Sequence, residues 1–328
     1  MLRTGFPKLS DITAPVDEQL QTVVDELRRI VFSNFPAIEE VNDHLLWARG
    51  KLFRPTLLLL SNQVGGTPHP RAVTLAALVE LIHLATLVHD DAVDHSVLRR
   101  GMPTVNALWN HQTAVIMGDY LYSRAMAELA GIGRVDLIEI LANAANEMSV
   151  GEMRQLLSCD ALDFTETDYD RLIASKTASL MSAACEVGAA TGADEHQQAL
   201  AEYGHALGMA FQIADDLLDY VSTEDVTGKP AGQDLREHKM TLPLIAALNE
   251  VTPAENRLIR RFFADPEPSD EAIAQIIDIV RERGGLEYAR RRADLFGEQA
   301  AERLFDLPEG PATESLQASI TYVIDRRN

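Results

Sequence analysis

The sequence predicts an all-α fold, and three observations carry that prediction. No proline falls between Pro103 and Pro230. Proline costs roughly 3 kcal/mol inside a helix, so a long proline-free stretch is what a helical chain permits. The intervening segments are rich in Ala, Leu, Glu and Met, all good helix formers. Finally, no run of alternating Val, Ile and Thr is bounded by Asn-Gly or Asp-Gly, so there is little sign of a sheet.

The elements follow in order. Residues 17–33 carry Leu20, Val23, Val24, Leu27, Ile30 and Val31 at helical spacing. A second helix is expected over 37–48. A third, over 54–64, has Pro55 at an early position, where its missing N–H is harmless. The stretch 71–94 is apolar on nearly all sides, which places it at the centre of a large bundle. Helices are expected next over 104–129, 135–158, 167–190 and 197–221. The chain finishes with helices over 242–249, 254–264, 270–283, 286–304 and 312–325. Breaks fall at 65–68, 227–232, 266–268 and 308–311, none long enough to be a linker. The 328 residues therefore read as one domain, 1–328.

Charge narrows the function. Lys plus Arg number 29 against 50 Asp plus Glu, a formal charge of −21. That balance works against a nucleic-acid partner, which needs basic charge to meet phosphates, and against a polybasic membrane-surface protein. Two cysteines, Cys159 and Cys185, are too few for a disulfide framework or a zinc site and read as buried thiols. The N-terminal residues hold no apolar signal region. The apolar stretch 72–89 is interrupted by Glu80 and His83 and runs into Asp90, so no integral membrane span is expected. The expectation is a soluble, cytoplasmic protein.

Two segments share a pattern that points to chemistry. Asp90, Asp91 and Asp94 form a DDxxD at the end of one apolar helix, and Asp215, Asp216 and Asp219 repeat it at the end of another. On a helix, i and i+4 share a face, so Asp90 and Asp94 project together, as do Asp215 and Asp219. Like charges so placed repel, and a helix C-terminus is the wrong end of the dipole for anions. A divalent cation offsets both costs, and Mg²⁺ prefers one or two carboxylates with waters and substrate phosphate oxygens. One such cluster would pass as a solvated acidic helix end; two of identical spacing are harder to dismiss. Basic residues are scarce, yet they gather around these motifs: Lys51, Arg54, Arg99, Arg100, Lys176, Lys229 and Lys239. Acidic groups for metal and basic groups for phosphate oxygens together describe a diphosphate site.

The ordered stretches IHLATLVHDDAVDHSVLRRGMPTVN, GDYLYSRA, GEMRQL, SKTASL, FQIADDLLDY and GKPAGQDLREHKMTLPL carry a specific resemblance. From about residue 45 to 243 the chain resembles the trans-isoprenyl (polyprenyl) diphosphate synthases of medium- and long-chain type. The resemblance implies a multi-helix bundle around a deep central cavity, a homodimer, and Mg²⁺-dependent condensation of isopentenyl diphosphate with an allylic diphosphate such as geranyl, farnesyl or geranylgeranyl diphosphate. It implies that Asp90, Asp94 and Asp215, with Asp91, Asp216 and Asp219 in support, hold Mg²⁺, three ions with substrate bound. Arg99, Lys176, Thr177, Gln212, Lys229 and Lys239 would contact the allylic diphosphate. Lys51, Arg54, His83 and Arg100 would hold isopentenyl diphosphate, although a lone His on an apolar helix is more often a core residue. Two departures stand out: Leu52 replaces a common Arg, and His238 stands where Gly or Asn is common.

The growing chain is expected to run down the helix of the first motif. At roughly 1.5 Å per residue, Ala85 lies about 7.5 Å below Asp90. Ala85 and Thr86 stand where aromatic residues stop the product short in the family, and Ile82 and Leu81 lie one turn lower. A product longer than farnesyl is expected, with a short-chain synthase as the alternative. A terpene cyclase needs no isopentenyl diphosphate site, and a non-catalytic synthase subunit tends to lose its Asp motifs, so both fit less well.

Overall fold

The computed structural model describes residues 6–47, 50–157, 161–221 and 232–325. Among these the helices are α1 (Leu9–Thr13), α2 (Asp17–Val31), α3 (Pro36–Trp47), α4 (Phe53–Gln63) and α5 (Ala72–Val93). A two-stranded hairpin follows, β1 (Leu98–Arg99) and β2 (Met102–Pro103). Then come α6 (Val105–Leu108), α7 (His111–Ile132), α8 (Val135–Leu157), α9 (Glu166–Ile173), α10 (Ser179–Gly192) and α11 (Gln197–Val221). The last six are α12 (Gln233–Arg236), α13 (Leu242–Leu248), α14 (Pro253–Phe263), α15 (Asp270–Glu282), α16 (Gly285–Arg303) and α17 (Pro311–Ile324). The all-α expectation holds.

The helix α5 is central, as its all-round apolar surface requires. It packs against α2, α4, α7 and α10. By length and composition it would cross a membrane, but over half of its apolar window is buried within the protein. Its lower turns seat Leu75, Leu78, Val79, Leu81 and Ile82 in the core at 0 % exposure, which fixes the height at which Asp90 and Asp94 emerge. Among the described residues there are two buried clusters, one around α5 and one around α13 to α15. Helices α11 and α16 run through both. Cys185 is buried as expected, and burial pushes its thiol up to about 12; Cys159 lies outside the described residues.

Three departures from the periodicity have local causes. The expected helix over 104–129 breaks at Trp109–Asn110, because extended Asn110 accepts the Thr113 N–H at 2.8 Å and starts α7 as its N-cap. The expected helix over 167–190 contains a π turn, Ala174–Ala178, between α9 and α10. An extra residue in one turn re-aims its side chains, and such turns gather at functional sites; this one holds Lys176 and Thr177. The hairpin was unforeseen. Its turn residues, Arg100 and Gly101, have φ of +52° and +75°, as a type I′ connection demands.

Candidate active site

A cavity of about 770 Å³ is lined by residues from the start of α4, the upper half of α5, the π turn and the middle of α11. Asp90, Asp94 and Asp215 all face it. The i, i+4 argument holds for Asp90 and Asp94 but not for Asp215 and Asp219: α5 and α11 bring the leading carboxylates of both motifs to one space, and Asp219 is absent from its lining. Burial pushes Asp90 up to about 6, although the charge of Lys176, 3.8 Å away, pulls it down.

The other motif carboxylates do not line this cavity and are engaged by neighbouring residues. Asp91 is buried and accepts Arg99 Nε at 2.8 and 2.9 Å. Asp216 is buried, with Tyr169 Oη at 2.5 Å and Gln212 Nε2 at 2.8 Å. Asp219 accepts the backbone N–H of Gln233 and Asp234 at 3.0 and 2.9 Å. It thus caps α12 and ties down the segment that leads to Lys239. Asp91, Asp216 and Asp219 thus each accept hydrogen bonds from other residues of the protein.

Among the described residues, the cations expected around the allylic diphosphate, Arg99, Lys176 and Lys239, are each paired with an acid. Arg99 is held by Asp91, Lys176 by Glu152 at 2.5 Å, and Lys239 by Glu237 at 2.5 Å. Burial alone would lower the Lys239 amine, but Glu237, Asp234 and Asp94 together outweigh it and leave the pKa raised. Thr177 Oγ1 donates to Gln212 Oε1 at 2.8 Å. Arg99, Lys176, Thr177, Gln212 and Lys239 line the main cavity, and Glu237 lines a flanking one of about 450 Å³. Lys229 lies outside the described residues.

A second cluster of basic residues comes from the start of α4, from α5 and from the hairpin. Lys51, Arg54, His83 and Arg100 line the same cavity. Arg54 Nη1 lies 3.0 Å from His83 Nε2. Arginine can only donate, so His83 Nε2 accepts and the neutral ring carries its proton on Nδ1. Burial lowers the His83 pKa well below the ordinary value, and Arg54, Arg100 and Arg99 add to that. His83 and Arg54 are thereby held to one another. A Cβ at Gly50 would sit 2.6 Å from Arg100 Nη1, so only glycine lets that guanidinium approach the chain there. Lys51 Nζ lies 3.5 Å from the Tyr322 hydroxyl of α17.

Among the described residues, no three His, Cys, Asp or Glu side chains converge as a metal cage. An open, all-oxygen set of Asp90, Asp94 and Asp215 within a cation-rimmed cavity still fits Mg²⁺, which keeps waters and takes substrate phosphate oxygens.

A family model described as polyprenyl synthetase matches residues 35–280. The chain belongs to the polyprenyl synthetase family. The all-trans-nonaprenyl-diphosphate synthase (geranyl-diphosphate specific) of Rhodobacter capsulatus is 39 % identical over 319 residues, covering 96 % of this chain and 97 % of that one. The octaprenyl diphosphate synthase of Escherichia coli strain K12 is 35 % identical over 95 % of this chain and 96 % of its own. The crystal structure of a polyprenyl synthase from Caulobacter crescentus CB15, complexed with calcium and isoprenyl diphosphate, superposes with a TM-score of 0.92 at 32 % identity, covering 99 % of each chain. A member of this family is a prenyltransferase, and the resemblance read from the motifs stands.

Several residues of this polyprenyl synthetase escaped the motif reading. Glu80, one turn before His83, faces the cavity; burial raises its carboxyl while Arg54 and Arg100 pull it down. Burial pushes Asp234 up to about 7, with Asp219 adding to it. Glu152 and Gln155 hold Lys176 from α8 and lay within the GEMRQL stretch, a signal that was available. Tyr169 and Tyr322 had no motif. Of the residues expected along the chain-length path, Thr86 lines the cavity beside Met181 and Phe211. Ala85, Ile82 and Leu81 are buried in the core, at 2 %, 0 % and 0 % exposure.

Proposed function

We propose that the chain condenses isopentenyl diphosphate with an allylic diphosphate to give an all-trans polyprenyl diphosphate longer than farnesyl. The observation that carries this is one cavity lined by the leading carboxylates of both Asp motifs and by a separate cluster of Lys51, Arg54, His83 and Arg100. Two anion sites joined by one cavity are what a two-diphosphate reaction needs.

Magnesium, held by Asp90, Asp94 and Asp215, would neutralise charge on the departing diphosphate. The number of ions, three with substrate bound, is part of this reading. Lys176, Lys239 and Arg99 bind the same diphosphate and stabilise the charge that develops on it. Arg54 and Arg100 orient isopentenyl diphosphate, with Arg54 fixed in turn by His83. Leu87, Met181 and Phe211 give the cavity an apolar wall that keeps water from the allylic cation. The isopentenyl double bond attacks that cation, a C–C bond forms, and one proton leaves. No side chain here reads as a dedicated base, so the departing diphosphate takes it.

The assembly we propose is a homodimer. Val115 and Ile116 near the start of α7, and Met153 and Leu156 near the end of α8, are all exposed. These two helices are consecutive and packed together, so the four apolar residues sit at one end of the pair.

The test is incubation of purified protein with Mg²⁺, labelled isopentenyl diphosphate and, separately, geranyl, farnesyl and geranylgeranyl diphosphates, with products sized after dephosphorylation. A ladder ending well beyond farnesyl is expected. A stop at farnesyl keeps the reaction and overturns the product length. No uptake of label by folded protein overturns the function, and would return the terpene cyclase and subunit readings.

A further inference from the structure

Helix α9 carries none of the motif residues, yet its Tyr169 is 1 % exposed and its hydroxyl lies 2.5 Å from Asp216 Oδ2. That distance is typical of a hydroxyl donating to a carboxylate. The other oxygen, Asp216 Oδ1, accepts Gln212 Nε2 at 2.8 Å. Gln212 Oε1 then accepts the Thr177 hydroxyl at 2.8 Å. Three hydrogen bonds thus join α9, α11 and the π turn in one line.

The line has a direction. A carboxylate only accepts, so Gln212 turns its NH2 toward Asp216 and its carbonyl oxygen toward Thr177. A carbonyl only accepts, so the Thr177 hydroxyl gives its proton to Gln212. What remains for a ligand is one N–H of Gln212 and the lone pairs of Thr177. Both residues line the main cavity and also the flanking one of about 450 Å³, whereas Tyr169 and Asp216 line only the flanking one. Tyr169 therefore lies outside the main cavity that Gln212 and Thr177 face.

We propose that Tyr169 is a positioning residue for the allylic substrate: its hydroxyl fixes Asp216, and through it the amide orientation of Gln212 and the hydroxyl direction of Thr177. The inference rests on the prenyltransferase reading and adds to it a residue outside the motifs. Without the phenol, one oxygen of a buried carboxylate loses its partner. Asp216 is then free to rotate, and the Gln212 amide is free to flip, which would reverse what Gln212 and Thr177 offer the substrate.

The experiment is steady-state kinetics on Tyr169→Phe with each substrate varied in turn. The expected result is at least a fivefold rise in KM for the allylic diphosphate, with a fall in kcat. KM for isopentenyl diphosphate should change less than twofold, and Tm by no more than a few degrees. Adding Tyr169→Phe to Gln212→Leu should cost nothing more, because the line is already cut. Unchanged kinetics, equal losses for both substrates, or additive effects in the double variant would each overturn the proposal, the second by showing a packing role. If Tyr169→Phe is recovered unfolded, Asp216→Asn interrupts the line at its middle, and an unchanged allylic KM there overturns it equally. Failure of the prenyltransferase reading would show in the wild-type chain; failure of this inference shows only between variant and wild type.

Discussion

Asp90 shows how a single residue sets function against stability. Its carboxyl is raised to about 6 by burial, above its ordinary value of 3.8. The folded chain therefore binds this proton more tightly than the unfolded chain does. Its contribution to stability is most favourable below the unfolded pKa and is lost as pH rises toward 6. Asp90→Asn is expected to raise Tm by a few degrees at pH 7.5 in metal-free buffer, on the order of 2 kcal/mol, and by little at pH 4. Thermal melts at the two pH values check the sign; equal gains at both would mean that burial of the charge is not the cause. The same carboxylate and Asp215 are expected to be indispensable for turnover. Asp90→Ala or Asp215→Ala should lower kcat by orders of magnitude, and near-normal rates in either would sink the metal assignment. Across the cavity, Arg54→Ala should raise KM for isopentenyl diphosphate at least tenfold. His83→Ala should do so less, since His83 works through Arg54. A larger effect from His83→Ala would reverse that order.

At the scale of elements, tight helix packing holds the site together. Gly188 and Gly192 of α10 lie against the backbone of α4: a Cβ would meet Leu58 O at 2.3 Å and Asn62 O at 2.0 Å. Backbone cannot yield as a side-chain tip can, so Gly188→Ala should destabilise the fold by about 1–3 kcal/mol. A melt indistinguishable from wild type would show that α4 and α10 can separate cheaply. Connecting segments show a second device. Leu52, His95, Arg100 and His238 all have φ between +51° and +55°. Each lies within two residues of a cavity residue: Lys51, Asp94, Arg99 and Lys239. Left-handed backbone is unfavourable for residues with a Cβ, and such positions gather where geometry is set by function. Gly or Asn would adopt this backbone at position 238 with less strain. Here a histidine takes the position, and its ring makes up part of the loss by reaching Asp265 O at 2.9 Å and packing on Phe262 and Phe263.

For the molecule as a whole, product length depends on what lies beneath the cavity. Thr86 and Met181 line it, while Ala85 is enclosed by packing from neighbouring helices. Under the long-chain reading, the tail extends past these side chains, and the unbranched Met181 can move aside more easily than a branched residue. Ala85→Phe adds bulk in that layer and is expected to shorten the product. An unchanged product distribution would place the path elsewhere. Assembly is a property of the same scale. Ile116→Asp should shift sedimentation from dimer toward monomer; an unaltered dimer would move the interface off the α7–α8 end.

Much of this protein was legible in its sequence. Helical periodicity and the proline-free stretch gave the all-α class, because both act within a few residues. The two DDxxD motifs placed Asp90, Asp94 and Asp215 on helix ends, because i, i+4 spacing is fixed by the helix itself. Lys176 and Thr177 were found, but not the π turn that presents them. Only the tertiary structure decided which carboxylates face the cavity and which hold their neighbours. Asp91, Asp216 and Asp219 look the same as their partners in the motif, yet Arg99, Tyr169 and the start of α12 claim them. Tyr322 meets Lys51 across 271 residues of sequence. Contacts of that range depend on how whole helices dock, and no local pattern records them. The sequence by itself determined the class, the motifs and the chemistry they allow; the packing of α4, α5, α9 and α11 decided which side chains share one cavity, since side-chain direction follows from helix position as well as from spacing.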